Sequence, residues 1–152
     1  MTILKKRLNV GDMENLKGRI MEERIIDTCV VSYLLKKHSL AEQYRPLLKD
    51  KLLSISFMTV AELYRWIIER HWGEKRIKQL EETIQNYVVL PSDDETCRHW
   101  AKVRSMKGQP ISDTDAWIAA TALRYNTPLV THNVKHFKPI QDLGLKIITV
   151  PN

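Results

Sequence analysis

The sequence predicts an α/β fold with three layers, in which helices cover both faces of a central parallel sheet of about five strands. Short runs rich in β-branched residues alternate with longer segments of helical periodicity. The short runs are apolar at successive positions, which is typical of strands that are buried on both faces. The two observations together favour strands that are linked by crossover helices.

Each element can be placed along the chain. The predicted strands are Arg24–Asp27, Leu52–Phe57, Tyr87–Leu90, Thr127–Thr131 and Lys146–Val150. Predicted helices follow Asp27, run from a Ser39 N-cap to Lys49, span Thr59–Arg70 and about 74–86, run from a Ser92 N-cap to near Gly108, and run from Ser112 or Asp113 to about Tyr125. Right-handed crossovers align the carboxyl ends of parallel strands at one edge, where ligands bind.

The chain divides into two unequal parts. Residues 1–23 carry glycines and mixed charges without a clear period, and we interpret them as an N-terminal extension of uncertain role. Residues 24–152 form one domain of ordinary size. Met21 is an alternative start, which would leave the preceding residues outside the native protein.

Composition excludes several classes of protein. With 43% hydrophobic residues and five glycines in 152 residues, the chain is neither disordered nor of low complexity. No apolar run approaches the ~18 residues of a membrane span, and no signal-peptide core is present, so we expect a cytoplasmic protein. Cys29 and Cys97 lack metal-ligand spacing, and Cys29 is expected to be a buried free thiol. The net charge of +6 favours an anionic partner, nucleic acid first.

Four oxygen-bearing residues stand where strands end or helices begin: Asp27, Glu62, Asp115 and Asn133. The carboxyl-edge rule predicts that they meet in one pocket. Such a donor set suits Mg²⁺, with Mn²⁺ as a substitute, whereas Zn²⁺ would require His or Cys. Three carboxylates this close would repel one another without a cation, which predicts partial protonation or a loose arrangement.

Each carboxylate also has a purely structural interpretation. Asp27 could be a helix N-cap, and Glu62 could complete a capping box that begins at Thr59. Asp115 could occupy the corresponding third position if Ser112 is the N-cap. In these positions the helix dipole would lower the pKa of Glu62 and Asp115. Asp115 is favoured as a site residue because alanines follow on its helical face, so that helix can approach the sheet closely.

Other polar residues near these positions are weaker candidates. Asn133 could equally be a turn residue. Asp113 and Thr131 are second-rank candidates, Asp113 because its side chain points elsewhere on the helical turn. His132 and His136 are predicted to lie in a loop after the fourth strand, as phosphate contacts or surface residues.

Four stretches in this order resemble the PIN domain, specifically the VapC-type toxin ribonucleases. They are Ile26–Leu35, Thr59–Leu63, Asp115–Leu123 and Leu129–Phe137, and the resemblance spans residues 25–150. Each stretch alone is weakly specific, whereas four at these separations are specific. His136 stands where an additional Asp is frequent in the family, and an N-terminal extension is unusual in it.

The resemblance implies a magnesium-dependent endoribonuclease that is the toxin of a toxin–antitoxin pair and is held inactive by its antitoxin. It implies Asp27 and Asp115 as core metal ligands, Glu62 in the acidic set, and Asn133 at a position that carries Asp or Asn. The expected partners are RNA, the antitoxin and a second copy of the chain, without a membrane. Trp66, Trp72 and Trp117 are candidates for protein contacts, with core packing as their alternative role.

Two rival functions remain open at the level of sequence. An aspartyl-phosphate phosphatase or receiver domain also has Asp after its first strand. The phosphatase needs a second Asp two residues later, where Cys29 stands. A catalytically weak or inactive PIN-like module that binds nucleic acid or a protein is the stronger rival, since His136 makes the pocket less acidic.

Overall fold

The computed structural model describes residues 9–12, 21–108 and 110–151. In these residues five strands form one parallel sheet in the order β3-β2-β1-β4-β5. The strands are β1 (Glu23–Ile26), β2 (Leu52–Ser56), β3 (Val88–Leu90), β4 (Leu129–Val130) and β5 (Ile147–Ile148). The predicted parallel sheet is confirmed; β2, β3, β4 and β5 are each shorter than predicted, and β1 has the predicted length but lies one residue earlier.

Helices connect the strands. They are α1 (Thr28–Lys36), α2 (Ala41–Leu48), α3 (Phe57–Glu69), α4 (Glu74–Ile84), α5 (Asp94–Arg104), α6 (Asp113–Arg124) and α7 (Val134–Phe137), which continues into a 3₁₀ helix at Lys138–Leu143. His136 therefore lies in a helix, so the prediction of a loop was wrong for His136, whereas His132 lies in the short loop that precedes α7. Within the described residues no helix combines the length and the apolar character that crossing a membrane requires.

Two separate apolar cores lie on the two faces of the sheet. Adjacent β1 residues supply both cores: Ile25 packs with Leu129 and Phe137 on one face, and Ile26 packs with Val130 and Leu63 on the other. All six side chains are fully buried. Both faces of β1 must therefore be apolar, which explains the unbroken apolar run in the sequence.

Three predicted helix starts were displaced. Ser56 caps α3 by accepting a hydrogen bond from the Met58 amide at 3.1 Å, so this helix begins directly after β2 and not at Thr59. Asp93, not Ser92, caps α5. Helix α2 has Leu40 at its N-cap position, where the side chain makes no capping hydrogen bond. The predicted N-cap at Ser39 was therefore wrong.

Helix α6 packs on the sheet through small side chains. Ala116, Ala119 and Ala122 are buried at the interface with the sheet, as the alanine spacing predicted. The Ser56 and Thr121 hydroxyl oxygens lie 2.9 Å apart in this buried layer. This contact ties the third turn of α6 to the carboxyl end of β2.

The predicted N-terminal extension is described only at residues 9–12 and 21–23. Asn9 and Asp12 exchange backbone-to-side-chain hydrogen bonds of 2.9 and 3.0 Å. Val10 packs against the core that contains Ile25. This part of the extension therefore contacts the domain, while residues 1–8 and 13–20 lie outside the described residues.

Asp93 joins the start of α5 to the end of α6. Its carboxylate accepts from the Thr96 amide at 2.9 Å, and it accepts from Arg124 Nε at 2.9 and 3.1 Å. Arg124 is the largest cause that holds the pKa of Asp93 well below its ordinary value of 3.8. The residue thus serves as a helix cap and as an interhelical ion pair.

Replacing Asp93 with alanine should lower the free energy of unfolding by about 1–2 kcal/mol, because the cap of α5 is lost. The ion pair adds little, since the Asp93 side chain is 39% exposed. Urea denaturation at neutral pH measures the loss. A depressed folded pKa stabilises above the ordinary value, so the difference should shrink as the pH falls below 3.8.

Asp94→Ala is the matched control. Asp94 pairs only across the surface of α5 with Arg98, at 2.8 Å, and both side chains are more than 70% exposed. Its loss should cost at most about 0.5 kcal/mol. Equal losses for the two variants would contradict the role assigned to Asp93.

Candidate active site

The candidate site lies where the strand order reverses. The chain builds β1, β2 and β3 to one side and then returns to place β4 beside β1. In parallel sheets the crevice at such a reversal is the usual ligand site. Asp27 follows β1 and Thr131 follows β4. The Asp27 amide donates to the Val130 carbonyl at 2.9 Å, so strand pairing continues up to the site.

Asp27 is buried and held by three donors. Its side chain is 2% exposed. Oδ1 accepts from the Thr28 amide at 2.8 Å, and Oδ2 accepts from the Thr131 hydroxyl at 2.7 Å and from the Cys29 thiol at 3.2 Å. Asp27 is therefore the N-cap of α1 and also a residue fixed at the crevice. The two predicted interpretations of Asp27 do not exclude each other.

Glu62 reaches the same crevice from the second turn of α3. Because α3 begins at Phe57, Glu62 is not in a capping box with Thr59, and that interpretation was wrong. Its Oε1 accepts from the Thr28 hydroxyl at 2.7 Å, and this hydroxyl lies 3.0 Å from that of Thr59. Thr28 thus links Glu62 to the start of α1, directly beside Asp27.

Burial and like charge raise the pKa of two of these carboxyl groups. Burial is the largest cause for Asp27, and the charge of Asp115 adds to it. Burial is also the largest cause for Glu62, followed among the raising effects by the charges of Asp27 and Asp115. The predicted lowering of the Glu62 pKa by its helix dipole was wrong, since the residue lies beyond the first turn. Asp27, Glu62 and Asp115 are therefore close enough to repel one another.

Asp115 occupies the third position of α6, as predicted. Ser112 caps the helix by accepting from the Asp115 amide at 3.1 Å. The carboxylate turns toward α7, where its Oδ2 lies 3.0 Å from His136 Nδ1. The Asp115 side chain is 18% exposed, whereas that of His136 is 58% exposed. His136 is therefore a direct neighbour of the acidic site.

The donor types fit a hard cation, although the side chains are not gathered around one point. In residues 9–12, 21–108 and 110–151, no three His, Cys, Asp or Glu side chains stand close enough together to hold a metal ion. Thr28 holds Glu62 and His136 contacts Asp115. Three repelling carboxylates favour such a loose arrangement. Their oxygen atoms are the ligand type that Mg²⁺ prefers.

The remaining predicted residues divide between the site and the surface. The Asn133 amide donates to the Thr131 hydroxyl at 3.0 Å, and Asn133 lines a cavity of about 360 Å³ together with His132, His136 and Thr149. Thr131 holds Asp27 directly. The structure does not bring Asp113 to the site: it is 73% exposed and faces Arg104 Nε at 3.3 Å, because the first helical position points away from the crevice.

Sequence reasoning missed several contacts at the site. Thr28 bridges Asp27 and Glu62, and the Tyr44 hydroxyl lies 2.7 Å from His132 Nδ1. These contacts join residues that are 34 and 88 positions apart, so no local pattern could reveal them. Cys29 is free, as expected. It is only partly buried, and burial, followed by the Asp27 charge, raises the pKa of its thiol to about 12.

Comparison with known proteins gives one consistent family. The family described as PIN domain matches residues 24–141. Ribonuclease VapC1 of Haemophilus influenzae (strain R2866) is 36% identical over 124 residues, which cover 78% of this chain and 92% of the relative.

Solved structures agree with this result. VapBC-1 from nontypeable Haemophilus influenzae matches with a TM-score of 0.69 and 34% identity, over 83% of this chain and 96% of that one. VapBC-5 from Mycobacterium tuberculosis, described as a member of the VapBC family of toxin–antitoxin systems, has the same fold, with a TM-score of 0.61 and 23% identity over 86% of this chain and 98% of that one. The chain belongs to the PIN domain family and, within it, to the VapC ribonucleases.

Proposed function

We propose that this protein is a magnesium-dependent endoribonuclease, the toxin of a toxin–antitoxin pair, which hydrolyses RNA phosphodiester bonds at the Asp27 crevice. One observation carries the proposal: a carboxylate that is 2% exposed is held by three donors, and Glu62 and Asp115 lie near enough for the charges of the three acids to act on one another. A buried acid is costly unless it is neutralised or coordinates a cation. A structural cap alone does not require two further acids.

Asp27, Asp115 and Glu62 would hold the cation, with Asn133 as a neutral oxygen donor nearby. A bound Mg²⁺ (or Mn²⁺) would supply a water of lowered pKa and would offset the charge that develops on the phosphate. Because the pKa values of Asp27 and Glu62 are raised, protons compete with a cation for these groups up to a higher pH than they do for ordinary carboxyl groups. Metal affinity should therefore rise with pH.

The chain's own residues orient the acids. The Thr131 hydroxyl and the Thr28 amide fix the two oxygens of Asp27. The Thr28 hydroxyl holds Glu62 until a stronger partner replaces it. Such neighbouring hydrogen bonds orient carboxylate ligands. Their loss typically lowers metal affinity or activity by about 10–100-fold.

Exposed cations beside the site suit an RNA strand. Lys135 and Lys138 flank His136 and are exposed, and the whole chain carries a net charge of +6. On α5, Arg98 pairs with Asp94 and Arg104 pairs with Asp113. Because both guanidinium groups already face carboxylates, they are less available to an RNA phosphate. We therefore assign the phosphate contacts to the α7 side of the crevice.

An antitoxin is the proposed protein partner. Its support is that the chain resembles VapBC-1 closely and that VapBC-5 is described as belonging to a toxin–antitoxin family. Trp72 is buried, so its alternative role in core packing is the one observed, and the Trp117 ring stacks on Trp100 at 5.0 Å. Exposed Tyr64 and Ile68, one turn apart on the helix that carries Glu62, offer apolar surface to a partner helix. The homodimer stays a prediction.

A catalytically weak or inactive module remains the second candidate. The observation that favours it is the Asp115–His136 contact, which places a base where the acidic pocket would otherwise continue. Metal affinity falls as the negative charge of a site falls. Activity measurements separate the two functions.

Asp27→Asn and Asp115→Asn should each reduce magnesium-dependent cleavage of single-stranded RNA by at least about 100-fold, since each removes charge that would neutralise the reacting centre. Cleavage rates from labelled RNA in Mg²⁺ and in EDTA measure the loss. Asp113→Asn is the matched control: it lies on the same turn as Asp115, is 73% exposed, and should retain wild-type activity. Absence of cleavage by the wild type, with Asp27→Asn indistinguishable from it, would favour the inactive module.

Glu62→Gln should leave the metal-free protein equally stable or more stable at pH 8, with a rise in Tm of about 2–4 °C at most. A carboxyl whose folded pKa is raised stabilises below its ordinary value of 4.5 and loses that contribution as the pH rises through the folded pKa. Glutamine removes this loss while still accepting from Thr28. The gap between the variants should close as the pH falls toward 4.5.

Thermal melts with EDTA and with Mg²⁺ complete this experiment. The wild type should gain more Tm from Mg²⁺ than Glu62→Gln does, because binding to the folded state raises Tm according to affinity. An identical magnesium-dependent rise in both proteins would remove Glu62 from the cation site.

A further inference from the structure

A small cavity borders the acidic site on the side of α7. It has a volume of about 110 Å³ and lies between the segment that follows α5 and the helical segment that follows β4. About half of its lining surface is apolar, from residues that include Met106, Ile111, Pro139 and Ile140, and the other half is polar. Met106, Ile111 and Ile140 belong to or pack against the core on that face of the sheet, so the walls are supported from behind.

His136 joins this cavity to the acidic site. The same side chain lines the cavity and places its Nδ1 3.0 Å from Asp115 Oδ2. His136 also lines the larger cavity that contains Asn133. An RNA strand with a phosphate at the acidic crevice would therefore pass the mouth of the small cavity, since the His136 side chain borders both.

The charges at the rim have one sign. Lys107 and Lys135 line the cavity and are exposed, and within the described part of the chain no Asp or Glu is among its lining residues. A cationic rim above a lining that is half apolar and half polar fits a flat group that has apolar faces and polar edges and that is linked to phosphates. A nucleobase within a nucleic-acid strand has these properties.

The volume restricts the occupant to a single group. Cavities that enclose whole small-molecule ligands typically measure about 300–1,000 Å³, whereas this one measures about 110 Å³. A free nucleotide with its sugar and phosphate would not fit within it. One unstacked base, with its backbone outside on the lysines, would.

We infer that this cavity is a subsite for one base of the RNA strand adjacent to the cleaved phosphate. This inference rests on the proposed function. Filling the cavity requires that this base leave the stack, which costs least where the strand is unpaired. The cavity then contributes a preference at one position of the cleavage sequence, because only one base enters it.

The test uses a short single-stranded RNA that the wild type cleaves at a mapped bond, together with copies in which each base in turn is replaced by an abasic sugar. One position beside the cut should show an increase in KM of about ten-fold, with kcat less affected. Loss of a base that merely stiffens the strand would change neighbouring positions alike. A uniform profile would overturn the inference while the ribonuclease function stands.

Ile111→Ala assigns that position to the cavity. Alanine removes most of one wall, so the abasic penalty should fall from about ten-fold to less than about three-fold in a double-mutant cycle. Lys78→Ala is the control: Lys78 is exposed on α4, which packs on the opposite face of the sheet, and the full penalty should persist. Thermal melts confirm that both variants are folded.

Three outcomes contradict the inference. An undiminished abasic penalty in Ile111→Ala would place the base elsewhere. Weakened antitoxin binding by Ile111→Ala, with RNA cleavage unchanged, would assign the cavity to the protein partner. No cleavage of any RNA by the wild type would overturn the proposed function, and the subsite with it.

Discussion

The structure depends on the burial of one carboxylate at the junction of two strands. Asp27 ends the run of β1, caps α1, and accepts a hydroxyl hydrogen bond from the residue that follows β4. An ionised group that is 2% exposed is unfavourable in an apolar interior unless its hydrogen bonds and a counter-charge compensate for lost hydration. The three donors supply part of this compensation. The raised pKa of Asp27 shows that the protein alone does not supply all of it.

The arrangement of the acids follows from the topology of the sheet. Parallel strands carry their carboxyl ends to a single edge, and the helices that follow start there. Asp27 lies between β1 and α1, Glu62 lies in the second turn after β2, and Asp115 lies in the first turn of α6. Residues that are far apart in sequence thus share one crevice. The two apolar cores on either side of the sheet hold these starting points in place.

Much of this organisation could be predicted from the sequence, because apolar periodicity and the carboxyl-edge rule are both local or topological. They predicted the parallel sheet and the alanine face of α6, and Ser112 was one of the two predicted starts of that helix. The start of a helix was predicted wrongly where a strand runs directly into the helix, as at Ser56. The reason is that a strand residue and an N-cap residue share the same extended backbone.

The contacts that shape the site were not predictable in the same way. Thr28 with Glu62 and His136 with Asp115 depend on how separate elements pack, which a one-dimensional pattern does not contain. The direction of the shift in the Glu62 pKa was predicted wrongly for the same reason. The effects of burial and neighbouring charge on this pKa outweigh the effect of the helix dipole.

The alanine face of α6 has a consequence for how this site can vary. The size of the side chains at Ala119 and Ala122 sets the distance between α6 and the sheet. Asp115 lies in the first turn of that helix. The distance between Asp115 and the other acids therefore depends on the size of these buried alanine side chains. A bulkier residue at either position would move α6 away from the sheet and would increase the distance between Asp115 and the other acids. It would do so without contacting the site itself, so packing in the interior controls the geometry of the site.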